Sequence, residues 1–185
     1  MIPVRHVILD RDGVLNHEAA DGGYIERPED FAWLPGALEG LKLLRESGLY
    51  LSVATNQSGV GRGIMSLEQL DQVHQRMKTE AARHGAALDA IFFCPHSPQD
   101  RCDCRKPAPG LIQAALVESG FSAAQTILLG DAQRDLEAAT RAGVRAALVR
   151  TGKGRQTEAA LSGAPVPIYD DLLAFARAIL ELGSA

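Results

Sequence analysis

The chain has 185 residues, 46% of them hydrophobic and 23% charged, with a formal net charge of −4. That length suits one domain, residues 1–185, around a sizeable core, and the composition excludes a disordered chain. No Lys/Arg run suggests a nucleic-acid partner, no apolar stretch is long enough for a bilayer, and three cysteines clustered at 94, 102 and 104 make no disulfide framework.

The start, Met1-Ile2-Pro3-Val4-Arg5, does not read as a signal peptide, so a soluble cytoplasmic protein is expected. Val7-Ile8-Leu9 then runs into Asp10-Arg11-Asp12-Gly13. An apolar run closed by a turn signal reads as a buried parallel strand, and ligands in such sheets bind beyond the strands' carboxyl ends. Asp10 suits a nucleophile, because a carboxylate is ionised at neutral pH, and Asp12 suits a general acid and then a base. A strand-end or turn aspartate is the plainer alternative. Residues 17–35, with Asp21-Gly22-Gly23-Tyr24, form a loop that either covers a site or merely connects; Trp33 and Leu34 read as core anchors.

Pro35-Gly36 opens a helix with Leu38, Leu41 and Leu44 on one face and Gly48 at its end. The second strand, 50–55, ends in Thr55-Asn56-Gln57-Ser58-Gly59. Thr55 and the amides after it could hold phosphoryl oxygens, or form an ordinary polar turn. Ser66 and Gln69 fit a capping box for a helix to about His84, in which His74 and His84 read as surface residues.

A third strand, 90–93, leads into Cys94, His96, Cys102 and Cys104. Four N/S donors on one short loop suit tetrahedral Zn²⁺ with no open position, so the metal would staple the loop. Arg105 and Lys106 follow at once; Lys106 could offset phosphoryl charge and Arg105 could fork onto a second anionic group. A helix from Pro109-Gly110 to Gly120 and a fourth strand, 126–129, come next. That strand ends in Gly130-Asp131, repeating the opening pattern, with Asp135 either a helix N-terminal acid or a group orienting Lys106. A helix to Ala142 and a fifth strand, 146–149, lead to Arg150-Thr151-Gly152-Lys153-Gly154, a basic turn given no site role; Asp171 caps a last helix. Strands alternate with helices throughout, which predicts an α/β fold with a doubly wound parallel sheet and no large cap domain.

Five of these segments resemble, in order, the motifs of the haloacid-dehalogenase-type phosphatases. They resemble most the bacterial heptose-bisphosphate phosphatases and their histidinol-phosphate phosphatase relatives. The segments are DRDGVLN at 10–16, TNQSGVGRG at 55–63, the Cys/His loop, CRKPAPG at 104–110 and GDAQRD at 130–135. RTGKG at 150–154 is similar to a family string as well.

The resemblance implies a Mg²⁺ site made by Asp10, Asp12 (through its backbone carbonyl) and Asp131, with Zn²⁺ on the loop. It implies catalysis by Asp10, Asp12, Thr55 and Lys106. Arg11, Asp21, Tyr24, Asn56, Gln57, Arg62 and Arg105 would contact substrate, a small sugar bisphosphate, D-glycero-D-manno-heptose 1,7-bisphosphate above others. A monomer is expected. Some relatives carry Lys where this chain has Ala132. Histidinol phosphate is the alternative substrate, and a zinc-stapled phospho-ligand binder the non-enzyme alternative. On this reading Asp12 needs a raised pKa to begin as an acid.

Overall fold

The computed structural model describes residues 3–19, 22–161 and 165–183. Among them the six strands are β1 (His6–Leu9), β2 (Tyr50–Asn56), β3 (Ala90–Cys94), β4 (Thr126–Gly130), β5 (Arg145–Val149) and β6 (Ile168–Tyr169). They form one sheet in the order β3-β2-β1-β4-β5-β6, and every pairing is parallel. The helices are α1 (Ala37–Glu46), α2 (Leu67–Arg83), α3 (Gly110–Ser119), α4 (Gln133–Ala142), α5 (Gly154–Ala160) and α6 (Leu172–Gly183).

Side chains along a strand alternate between its two faces, and both faces of this sheet are covered. Val7, Leu9, Leu51 and Val53 pack on one face with Leu41 and Leu44 of α1, Val73 and Met77 of α2, and Phe175 of α6. Ile8, Ala54 and Leu128 pack on the other with Leu111, Ile112 and Ala115 of α3 and Ala138 and Ala139 of α4. The layers are therefore helix, sheet, helix. Truncating a fully buried residue such as Leu44 to Ala would cost about 2–5 kcal/mol through lost burial and the cavity left behind.

The chain builds outward from β1 to β2 and β3, then returns to place β4 on the other side of β1. That reversal opens a crevice at the carboxyl ends of β1 and β4, where such sheets bind ligands. The register sets Leu9 level with both Val53 and Leu129, so Asp10 emerges beside the ends of β2 and β4.

Local signals held at several ends. Ser66 and Gln69 make the reciprocal capping box of α2, and Asp171 Oδ1 accepts from the Ala174 amide at 2.7 Å. Gly48 takes a φ of +76°, which suits the residue just beyond a helix. Trp33 and Leu34 are partly buried against the core, as expected. One helix, α5, was not expected. His74 is a correction: it is 5% exposed, because the face of α2 that carries it packs over the loop after β1.

Candidate active site

Asp10 is 3% exposed and follows β1 directly, its amide donating to the Leu129 carbonyl at 3.0 Å. Its Oδ1 accepts from the Arg11 amide at 2.7 Å and lies 3.0 Å from Lys106 Nζ. The same Nζ is 2.7 Å from Asp135 Oδ1, and all three side chains are shut away from solvent. Burial pushes the Asp10 carboxyl above its ordinary pKa, with Lys106 opposing and Asp135 adding to the rise. Lys106 loses by burial and gains more from Asp10 and Asp135, so it stays charged.

Asp131 directly follows β4 and is fully buried. Its Oδ2 accepts from the Lys153 amide at 2.8 Å, while Oδ1 has no partner within the protein. Burial and the charge of Asp10 push its carboxyl up to about 7. Gly13 (φ +83°) and Gly152 (φ +54°) press on it from two loops; a Cβ on either would overlap the carboxylate. Asp10, Asp131 and Asp135 each bring a carboxylate oxygen to within 4.8 Å of the others. Three buried acids near one lysine leave an excess of negative charge, and one buried oxygen is unsatisfied. Oxygen donors in that state fit a hard divalent cation such as Mg²⁺.

Asp12 is held differently. Its carboxylate takes the Arg11 fork, Nη2 at 2.9 Å and 3.0 Å and Nε at 3.2 Å, with Asn16 Nδ2 at 2.9 Å and Gln57 Nε2 at 2.8 Å. Burial opposes ionisation here, but the Arg11 charge and these bonds outweigh it, and the pKa falls below the usual carboxylate range. The raised pKa expected from sequence is therefore wrong for this state of the site. Arg11 is in turn steadied by His74, whose Nε2 lies 3.3 Å from Arg11 Nη1. Burial and the Arg11 charge bring His74 down to about 3, so the ring is neutral and accepts. Thr55 is buried and its Oγ1 accepts from Gln57 Nε2 at 2.9 Å.

On the loop after β3, the Sγ atoms of Cys94, Cys102 and Cys104 lie 3.2–3.5 Å apart. His96 Nδ1 is 3.6 Å from Cys94 Sγ and 3.2 Å from Cys104 Sγ. A tetrahedron with metal–sulfur bonds of ~2.3 Å has edges just under ~4 Å, so the four donors already outline one. Ser97 and Asp100 close the loop's turn, the Ser97 amide donating to Asp100 Oδ2 at 2.6 Å. Burial opposes ionisation of Cys102, but the Arg105 amide and the neighbouring thiols outweigh it and bring the group to about 7. Donor chemistry and spacing both fit Zn²⁺.

The family model HAD-hyrolase-like matches residues 103–175. A D-glycero-beta-D-manno-heptose-1,7-bisphosphate 7-phosphatase of Pseudomonas putida is 38% identical over 94% of this chain and 98% of its own. The crystal structure of the B. bronchiseptica D,D-heptose 1,7-bisphosphate phosphatase, complexed with magnesium and phosphate, superposes with a TM-score of 0.90. It is 38% identical, covering 97% of this chain and 99% of that one. The Burkholderia thailandensis D,D-heptose 1,7-bisphosphate phosphatase is 37% identical at a TM-score of 0.70, covering 95% and 98%. The chain belongs to the heptose-bisphosphate phosphatase family.

In this family member a cleft of about 340 Å³ is bordered by Asp12, Tyr24, Gln57, Arg62 and Arg105 among others. Asp10, Lys106 and Asp131 are not in its lining; Asp12 and Arg134 connect it to them. Tyr24 bonds Ser58 Oγ through its hydroxyl at 3.0 Å, and with Glu18, Ala19 and Gly22 it sets described parts of the loop after β1 against the cleft. Asp21 lies outside the described residues. Asn56 borders the cleft but is engaged on both amide atoms, at 3.0 Å each, by the backbone of Lys106. Those two bonds fix the backbone that carries Lys106. Arg11 also borders the cleft, bonded to Asp12 and beside His74, though only 1% exposed.

Three participants were missed by sequence reasoning. His74 looked like a helix-surface residue. Arg134 fell between two acids of one motif. The turn at 150–154 carried a family-like string that received no role, yet its Lys153 amide fixes Asp131 and Thr151 Oγ1 donates to the Gly13 carbonyl at 2.6 Å.

Proposed function

We propose that this protein is a Mg²⁺-dependent phosphatase that removes the 7-phosphate of D-glycero-D-manno-heptose 1,7-bisphosphate through an aspartyl-phosphate. The observation that carries the chemistry is the meeting of Asp10, Asp131 and Lys106 in one buried cluster beside Asp12. The names of the relatives support the substrate. Asp10, Asp131 and the Asp12 carbonyl would hold Mg²⁺, which when bound would supply charge to offset the phosphoryl oxygens.

Asp10 forms a bond to phosphorus as the bond from phosphorus to the sugar oxygen breaks, and the electron pair leaves with that oxygen. Asp12 supplies the proton the alkoxide needs, then takes one from the water that hydrolyses the acyl-phosphate. As it stands, Asp12 is ionised and set up for the second role. An arriving phosphate dianion would compete for the Arg11 fork and loosen it, which favours protonation for the first role. Lys106 fixes Asp10 and offsets its charge throughout. Arg62 and Arg105, both on the cleft, suit the second phosphate of a bisphosphate.

Cys94, His96, Cys102 and Cys104 would hold a structural Zn²⁺ that sets the path of the chain into Arg105 and Lys106. A cytoplasmic location is part of the same reading, since a reducing compartment keeps such cysteines available as metal ligands.

The test is a phosphate-release panel with and without Mg²⁺, using the heptose bisphosphate, histidinol phosphate and a simple phosphomonoester. The heptose bisphosphate should be cleaved fastest, and only with Mg²⁺. Faster cleavage of histidinol phosphate would remove the heptose assignment while leaving the chemistry. No release from any compound would remove both.

A further inference from the structure

Arg134 stands on the second residue of α4, one position before Asp135. Its Nη2 lies 3.9 Å from Asp10 Oδ2, and its side chain, 34% exposed, borders the cleft. Its Nε is buried and has no hydrogen-bond partner.

Lys106 offers a contrast. It is fixed between two carboxylates at 3.0 Å and 2.7 Å and fully enclosed. Its charge serves Asp10 and Asp135, on the Oδ1 side of Asp10. The Oδ2 side belongs to Arg134. At 3.9 Å that pairing is well beyond the ~2.8 Å of a charge-assisted hydrogen bond, so little is forfeited when the guanidinium turns to another anion. A phosphoryl group brought to Asp10 from the cleft presents three oxygens carrying spread negative charge. A planar guanidinium can hold two of them through a fixed side-by-side pair of N–H donors, a geometry an ammonium lacks.

We propose that Arg134 holds two oxygens of the phosphoryl group while it passes from the substrate to Asp10 and while it remains there as the aspartyl-phosphate. This rests on the phosphatase reading above. It separates Arg134 from Arg62 and Arg105: Arg134 handles the phosphoryl that moves, and the other two face whatever else the substrate carries.

The experiment compares wild type with Arg134→Gln, Arg134→Lys and, as a control on the same helix, Arg141→Gln. Substrates are the heptose bisphosphate and p-nitrophenyl phosphate, which has no second phosphate. Arg134→Gln should lower kcat/KM by about 100-fold on both compounds, the size expected for one lost donor to the reacting oxygens. Inhibition by orthovanadate should weaken by a similar factor, and Arg134→Lys should recover part of each loss. Melting temperatures should match wild type, and Arg141→Gln should behave as wild type.

A loss confined to the bisphosphate would overturn the proposal in favour of a remote-phosphate contact. Unchanged rates, or lower rates with vanadate inhibition intact, would overturn it too. If the wild type cleaves nothing, the phosphatase reading fails by itself. Calorimetric binding of orthovanadate to wild type and Arg134→Gln then still decides the contact: equal affinities end the proposal.

Discussion

The two clusters that suit metals are built on opposite plans. The Cys/His set comes from 11 consecutive residues, 94–104, and its four donors lie within 3.6 Å along each measured pair. It is closed, with no position left for a reactant. The acid set is assembled from the ends of β1 and β4 and the first turn of α4, with Lys106 arriving from the far side of the loop. It carries more negative than positive charge and keeps an unsatisfied oxygen on Asp131. One cluster gains stability by being complete; the other is useful because it is not.

That contrast is most sharply broken at Asp10. Asp10→Asn should lower phosphate release by about 10⁴-fold or more in steady-state assays, as loss of a nucleophile does. The same change should not lower the melting temperature, because it removes one of the crowded buried charges. A clear loss of stability would show that the acid set is held together by Asp10 and is not strained by it.

Lys106 is the next largest. Lys106→Met removes the close counter-charge from buried Asp10 and Asp135, leaving only Arg134 at 3.9 Å from Asp10, and should destabilise the fold by about 3–5 kcal/mol, read by chemical denaturation. Adding Asp135→Asn should restore part of that stability while activity stays lost, since the two residues share one ion pair.

How much of this was legible in the sequence follows the same division. The Cys/His loop could be read from spacing alone, because its donors are neighbours in the chain. Asp10, Thr55 and Asp131 could be read because each ends an apolar strand and such ends converge in a parallel sheet. His74, Arg134 and Lys153 could not. His74 is buried only because α2 lies over Arg11, a contact between residues 63 positions apart. Arg134 acquires its meaning from Asp10, more than a hundred residues earlier. Lys153 acts through its backbone amide, which no side-chain pattern reports. The Asp12 pKa was misjudged for a related reason: its neighbours in sequence are Arg11 and Gly13, but the bonds that lower it also come from Gln57 and Asn16.

A third change probes the closed cluster. Cys102→Ser should cost the bound zinc, about one ion per chain in wild type by metal analysis, and several degrees of melting temperature. Activity should fall by roughly tenfold, because Lys106 lies two residues beyond Cys104 and its aim depends on the loop. Full activity in zinc-free protein would separate the two clusters completely.

The smallest effect is one of pH. In metal-free protein the Asp131 carboxyl is raised from 3.8 to about 7, so between those values the folded chain keeps a proton that the unfolded chain sheds. Metal-free stability should therefore fall as pH rises through that window. Mg²⁺ needs the ionised form, so its affinity, measured by calorimetry, should strengthen by about tenfold from pH 6 to pH 8. Asp131→Asn should bind Mg²⁺ more weakly and flatten that dependence.

The turn at 150–154 reaches Asp131 through bare backbone, with Gly152 against Gly13 and the Lys153 amide on the carboxylate. Its own position is secured further on, where Arg150 pairs with Glu158 of α5 and with Asp170 just past β6. The stretch from residue 150 onward supplies none of the acids, yet it works as a clamp on them. A shortened protein that kept every acidic ligand but ended before residue 150 would hold its metal on an arm with nothing behind it.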